Sequence, residues 1–168
     1  MSILQTINEL GKKAKNASIK LRVLQREKKK IAYEHLEKNI KDKASEILIA
    51  NKLDIENAIS NNLSKPLINR LKVTDETISG IIKSIIEIKK QPDPIGEILE
   101  NWEQPNGLKF SKISVPLGVL GVIYESRPNV TIDASCLALK SNNALILRGG
   151  SDSFHTSKQL VSIITESF

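Results

Sequence analysis

The sequence predicts an α/β protein in which N-terminal helices precede part of a parallel sheet. Up to about residue 90, apolar residues recur three and four positions apart, which is typical of amphipathic helices. Two prolines in Gln91-Pro92-Asp93-Pro94 then end the last helix, and the composition shifts. Beyond this point, two short apolar runs flank an amphipathic segment, an order that predicts a βαβ unit. We therefore expect a helical region at residues 1–92 and a hairpin followed by a βαβα portion at residues 93–168.

The helical region begins with two amphipathic helices, predicted at residues 3–15 and 18–36. A further helix opens near residues 42–48, and a short one covers residues 54–58 before two asparagines interrupt it. Pro66 after Ser64 marks another helix start, because proline is favoured in a first turn. Thr74 is expected to cap the last helix, whose apolar stripe consists of Ile78, Ile81, Ile82, Ile85 and Ile86.

The second region begins with a predicted antiparallel hairpin, in which residues 99–103 pair with 108–115 across Pro105-Asn106-Gly107. Residues 119–124 and 145–147 are short, apolar and rich in β-branched or aliphatic side chains. They are expected to form parallel strands that are buried on both faces. The helix between them covers residues 131–139, and a final helix covers residues 153–168.

Polar residues follow both predicted strands, at the edge where parallel sheets usually bind ligands. Residues 125–129 follow the first strand and residues 148–152 follow the second. The guanidinium of Arg127 suits a phosphate or carboxylate, and Asn129 can donate to an oxyanion. These two residues are the candidates for substrate binding. The alternative is that Arg127 only fixes the loop through an ion pair with Glu125 or Asp133.

Composition and net charge bear on whether the protein binds nucleic acid, spans a membrane or is secreted. The net charge is +6, and runs such as Lys28-Lys29-Lys30 could face nucleic acid. Acidic residues are interspersed among these lysines and only 4% of residues are aromatic, which favours solvated helix faces instead. No apolar run approaches the ~18 residues of a membrane span, and no secretory signal is recognisable. A single cysteine fits a reducing cytoplasm.

The residues most often involved in catalysis or metal binding are few. Cys136 lies in the middle of a predicted helix with no histidine beside it, so we interpret it as a small core residue. His35 and His155 are isolated, and we predict no metal site.

Two segments carry a family resemblance, PLGVLGVIYESRPNV and LALKSNNALILRGG. They resemble γ-glutamyl phosphate reductase, a family of the aldehyde dehydrogenase superfamily. Asn62-Leu63-Ser64, Asn69-Arg70-Leu71 and Asp93-Pro94-Ile95-Gly96 are similar to its N-terminal helical region at matching spacing. The resemblance implies a dinucleotide-binding domain of aldehyde-dehydrogenase type. It also implies a cytoplasmic oxidoreductase of proline biosynthesis, which reduces γ-glutamyl phosphate to glutamate semialdehyde with NADPH.

The resemblance also assigns residues. It implies that Arg148, Gly149 and Gly150 bind the cofactor, since the superfamily has a lysine at the Arg148 position that contacts the adenosine side of the dinucleotide. Arginine there would suit a 2′-phosphate. Ser126 occupies the place of the superfamily's oxyanion-stabilising asparagine. The family's catalytic cysteine belongs to a later segment, so we expect no catalytic residue in this chain.

Members of the family are more than twice as long as this chain, which resembles their N-terminal part. We therefore expect the chain to be inactive alone. Three interpretations stay open: an inactive remnant, one subunit of a split reductase whose second chain carries the thiol, or a basic helical binding module. The expected ligands are γ-glutamyl phosphate in a complemented enzyme and NADPH. A homo-oligomer is compatible with the sequence, and neither a membrane nor nucleic acid is expected.

Overall fold

The computed structural model describes residues 2–125 and 127–168. Within these residues, helices and two small sheets follow one another in the predicted order. The helices are α1 (Ile3–Leu21), α2 (Arg26–Asp42), α3 (Ala44–Ser60), α4 (Lys65–Leu71), α5 (Asp75–Lys90), α6 (Asn129–Lys140) and α7 (Phe154–Ser167). The strands are β1 (Ile98–Glu103), β2 (Lys109–Ile113), β3 (Val119–Ile123) and β4 (Ala144–Arg148), and a 3-10 turn covers Ser151–Ser153. The α/β class is confirmed.

The break between the first two helices lies later than predicted. Helix α1 continues through residues 16–17, which contain no helix breaker, and ends at Leu21. Ser18 is buried inside this helix and donates from its Oγ to the Lys15 carbonyl at 2.7 Å. Its hydroxyl is thus satisfied within the helix instead of starting a new one. The prediction of helices at residues 3–15 and 18–36 is therefore wrong in its boundary.

A second boundary also differs, because residues 54–58 belong to the long helix α3 and do not form a separate helix. The two asparagines do end a helix, but that helix is α3, and Asn62 after it adopts a φ of 55°. The starts of α4 and α5 are confirmed. Pro66 lies in the first turn of α4, and Thr74 and Thr77 form a reciprocal capping box on α5.

The hairpin is confirmed, since β1 and β2 are antiparallel and Trp102 pairs with Phe110. Their rings stack with centroids 5.3 Å apart. Gly107 in the turn has a φ of +86°, a conformation that glycine adopts without steric cost. Both strands of the hairpin are exposed along their whole length.

The βαβ unit is confirmed as well, because β3 and β4 are parallel and α6 connects them. Their register runs from Val119 opposite Ala144 to Ile123 opposite Arg148. The expectation that both strands are buried on both faces is wrong, however. Val119 is 38% exposed and Ile123 is 79% exposed, since in the described residues the sheet has only two strands. Helix α1 contacts both strands and α6 contacts β4, so the sheet is covered in part.

The hydrophobic core lies between the N-terminal helices and the βαβα portion. Tyr33 and Leu36 of α2 belong to the same buried cluster as Ile132 of α6 and Leu160 of α7. The change in composition near residue 92 coincides with the end of α5, yet the core continues across it. The division into two regions remains a prediction. No helix within the described residues has the length and apolar character of a membrane span.

Candidate functional site

The candidate site lies where β3 and β4 end side by side. Ile123 pairs with Arg148, and one residue further the Tyr124 N–H donates to the Arg148 carbonyl at 3.1 Å. The loop after β3 and the loop after β4 therefore leave the same edge of the sheet. Both segments carry residues that the sequence selected for ligand binding, Arg127 and Asn129 after β3, and Arg148, Gly149 and Gly150 at the end of β4. Their roles in binding remain predictions.

Arg127 and Asn129 occupy different environments. The side chain of Arg127 is exposed, and among the described residues it forms no ion pair within 4.0 Å. The alternative role as a loop-fixing partner of Glu125 or Asp133 is therefore not present in the structure. Asn129 is the first residue of α6 and donates from Nδ2 to Asp133 Oδ2 at 3.3 Å. Asp133 also accepts from Ser84 of α5 at 2.8 Å, which ties this end of α6 to the helical region.

Arg148 and the two glycines end the second strand. Arg148 is the last residue of β4 and is exposed, so its guanidinium is accessible to a ligand. Gly150 directly precedes the 3-10 turn that leads into α7. Gly149 lies against the side chain of Tyr124, where an added Cβ would be 3.1 Å from the phenol oxygen. The place of Tyr124 at the end of an apolar predicted strand gave no sign of this contact.

Cys136 is fully buried in the core cluster, which confirms its interpretation as a core residue. Burial raises the pKa of the Cys136 thiol to about 12, and the nearby charge of Asp133 adds to this effect. The Tyr33 hydroxyl donates to the Cys136 carbonyl at 2.8 Å. This hydrogen bond is made to the backbone and not to the thiol. Because the thiolate is the nucleophilic form, Cys136 is almost entirely unreactive at neutral pH.

The histidines are placed apart from each other. His35 is exposed on α2, whereas His155 is half-buried at the start of α7 with its ring edge-on to Phe154, 5.4 Å between centroids. The described residues contain no group of three His, Cys, Asp or Glu side chains that could hold a metal ion.

The lysine run on α2 is not uniformly solvated. Lys28 and Lys30 are exposed as expected, but Lys29 is buried and its Nζ lies 2.5 Å from Asp93 Oδ2. The same Nζ donates to Asn142 Oδ1 at 2.7 Å and to the Lys140 carbonyl at 3.0 Å. Burial opposes the ionisation of Asp93. The hydrogen bond and charge of Lys29, with the Ile95 N–H, nevertheless hold the Asp93 pKa below its ordinary value. The prediction of a solvated side chain is wrong for Lys29.

Comparison with solved structures identifies the fold. A propionaldehyde dehydrogenase from Clostridium phytofermentans aligns with a TM-score of 0.59 and 14% identity, covering 95% of this chain and 33% of that structure. At this identity the likeness shows the fold alone: the chain has the fold of the aligned third of an aldehyde dehydrogenase.

Two proteins of higher sequence identity are γ-glutamyl phosphate reductases. The γ-glutamyl phosphate reductase of Thermotoga maritima aligns with a TM-score of 0.91 and 38% identity over 95% of this chain and 38% of its own. The γ-glutamyl phosphate reductase of Bartonella bacilliformis is 50% identical over 155 residues, 92% of this chain and 38% of the relative. No family model matches the chain. The chain is homologous to the N-terminal portion of the γ-glutamyl phosphate reductases and spans about two fifths of their length, which confirms the resemblance.

Proposed function

We propose that this chain supplies the N-terminal part of the nucleotide-binding domain of an NADPH-dependent γ-glutamyl phosphate reductase, an oxidoreductase of proline biosynthesis. The observation that carries the proposal is the edge of the β3–β4 sheet. Both candidate loops start there, in a chain that is 50% identical to a relative of that name. Carboxyl ends of parallel strands are the usual ligand-binding edge of such sheets.

The cofactor in this proposal is NADPH, which would supply the hydride. Arg148 fits its 2′-phosphate, because the guanidinium is exposed at the strand end and can donate two parallel hydrogen bonds. Gly149 and Gly150 allow the backbone to approach the dinucleotide closely. Arg127 and Asn129 on the neighbouring loop are proposed to bind the phosphate and the acyl oxygen of γ-glutamyl phosphate.

Acyl-phosphate reduction in this family requires a reactive thiol, and this chain does not provide one. Its single cysteine is Cys136, which is buried with a raised pKa. We therefore propose that these 168 residues are inactive by themselves, and that the thiol belongs to the part of the relatives' length that they do not span. A cytoplasmic location suits this chemistry, since its thiols must stay reduced. Burial of Lys29 removes one charge from the basic helical face, which weakens the support for a nucleic-acid module.

The first prediction concerns catalysis. The purified 168-residue chain should show no reduction of γ-glutamyl phosphate by NADPH and no phosphate-dependent oxidation of glutamate semialdehyde, since it holds no activated nucleophile. Both directions can be followed by NADPH absorbance, with the T. maritima reductase as a positive control. Steady turnover that disappears on Cys136→Ala would contradict the proposal.

The second prediction concerns cofactor affinity. Arg148→Ala should weaken NADPH binding by about 1.5–3 kcal/mol, roughly ten- to a hundredfold, because a charge-assisted hydrogen bond is lost. The matched control is Lys158→Ala, which removes the same charge from an exposed position on α7. NADPH fluorescence titrations measure both variants. If Arg148→Ala and Lys158→Ala gave superimposable curves, Arg148 would not be part of the cofactor site.

A further inference from the structure

We infer that Tyr124 is a positioning residue that fixes the two loops of the candidate site relative to each other. The inference rests on the proposed function only in that these loops are taken to bind substrate and cofactor. Tyr124 follows β3 directly, and its backbone N–H donates to the Arg148 carbonyl at 3.1 Å. Its main chain is thus held by β4, and its side chain makes two contacts, one with each loop.

The first contact closes the loop after β3. Tyr124 Oη lies 2.5 Å from Thr131 Oγ1, a short hydrogen bond in which either hydroxyl can donate. Thr131 is fully buried in the first turn of α6, where its N–H donates to the Pro128 carbonyl at 3.1 Å. The hydrogen bond therefore joins the two ends of the loop that carries Arg127 and Asn129.

The second contact explains why residue 149 is glycine. A Cβ at this position would lie 3.1 Å from Tyr124 Oη and 3.2 Å from Cζ, closer than ordinary contacts. The backbone itself does not require glycine, because the glycines with positive φ among the described residues are Gly96, Gly107 and Gly118. The phenol ring is what crowds a larger side chain at residue 149.

One side chain thus touches both loops. A change in the Tyr124–Thr131 hydrogen bond alters the loop of Arg127, and a side chain at residue 149 displaces the same ring. In this arrangement, the distance between the proposed substrate and cofactor contacts depends on Tyr124. Tyr124 is a positioning residue because it acts on substrate and cofactor only through the two loops.

Amide exchange of the 168-residue chain tests the loop contact without a ligand. The readout is the exchange of the Val130 and Thr131 amides, which donate to the carbonyls of Arg127 and Pro128. Tyr124→Phe and Thr131→Val should each accelerate this exchange about tenfold relative to amides of α7. Thr131→Ser, which keeps a hydroxyl, should restore slow exchange.

The matched control is Tyr33→Phe, which removes one buried tyrosine hydrogen bond away from the loop. It should leave the ratio between the Val130 and α7 exchange rates unchanged. The inference is overturned if Tyr124→Phe leaves the Val130 and Thr131 amides unchanged, or if it accelerates them no more than those of α7.

A double-mutant cycle tests the contact with Gly149. Gly149→Ala should lower the melting temperature by about 2–6 °C in the parent chain and by less than 1 °C in a Tyr124→Leu background. Gly121→Ala is the control, because a Cβ there meets no atom within 4 Å, and its effect should be the same in both backgrounds. Equal losses for Gly149→Ala in the two backgrounds would overturn the inference.

NADPH titration separates this inference from the proposed function. If the parent chain binds NADPH, Tyr124→Phe, which leaves every proposed binding residue unchanged, should weaken binding at least tenfold while Tyr33→Phe leaves it unchanged. Equal affinities would show that the loop spacing does not matter for the cofactor and would overturn the positioning role. If the parent chain binds no NADPH, the proposed cofactor site fails, and the exchange and melting results decide on Tyr124 alone.

Discussion

Lys29→Met is expected to lower the free energy of unfolding by about 3–5 kcal/mol, since it breaks a buried ion pair by removing one partner. The Lys29 side chain is 4% exposed and that of Asp93 is 8% exposed. Without the ammonium, the Asp93 carboxylate, Asn142 Oδ1 and the Lys140 carbonyl all lose a donor. The nearby Arg26 is 3.6 Å from Asp93 but largely exposed, so it cannot replace the buried partner.

Urea unfolding followed by circular dichroism measures this loss. Lys28→Met and Lys30→Met remove the same charge from exposed positions on the same helix and should change stability by less than about 0.5 kcal/mol. A Lys29→Met variant within 1 kcal/mol of these two would show that the pair contributes little.

The same pair gives stability a defined pH dependence. Because the folded pKa of Asp93 lies below its ordinary value of 3.8, the unfolded chain binds this proton first as pH falls. The stabilisation from Asp93 is complete above its unfolded pKa and decreases as pH falls through the folded pKa. Lys29→Met should therefore flatten the acid limb of the stability curve below about pH 4.

Asp54→Ala is the second large expected effect, with a loss of about 3–5 kcal/mol. Its buried carboxylate on α3 accepts from the N–H of His155 at 2.9 Å and from the N–H of Thr156 at 2.8 Å. It also accepts from Thr156 Oγ1 at 2.6 Å. Asp54 therefore caps the first turn of α7 from another helix, and its removal leaves buried donors without partners.

Thermal and urea melts of Asp54→Ala test this interaction, with Asp42→Ala as the control. Asp42 is an exposed aspartate whose partner is Lys38 in the same helix, so its loss should cost under 1 kcal/mol. Asp54→Asn keeps one acceptor oxygen and should fall between the parent and Asp54→Ala. Equal stability of the two Asp variants would exclude the capping role.

The sequence did not predict the buried roles of Lys29 and Asp54, although the spacing of both residues along their helices indicates burial. Lys29 lies on the same helical stripe as Tyr33, Leu36 and Ile40, all of which are buried. The buried residues of α3 have the same spacing: Ile47, Asn51, Asp54 and Ala58. A polar residue in register with an apolar stripe indicates burial, but the sequence does not reveal its partners. Those of Lys29 and Asp54 include residues more than 100 positions away.

Elements defined by local chemistry could be predicted from the sequence. The hairpin follows from its turn residues, the βαβ unit from two apolar runs around an amphipathic segment, and the start of α5 from the Thr74 cap. The sequence also predicted that the residues after β3 and those at the end of β4, such as Arg127 and Arg148, lie at the same edge of the sheet, because parallel strands end together. The contact between Tyr124 and Gly149 could not be foreseen, since it depends on how a side chain crosses from one loop to the next.

The long sequence separation of the core contacts has a consequence for synthesis of the protein. Tyr33 bonds to Cys136 across 103 positions, and Asp54 bonds to Thr156 across 102. At ~5–20 residues per second, ~100 residues take roughly 5–20 s to translate, far longer than a helix needs to form. The parts of α2 and α3 that pack on α6 and α7 therefore stay uncovered until those two helices emerge from the ribosome. During this interval the nascent chain exposes hydrophobic surface of the kind that promotes aggregation of folding intermediates.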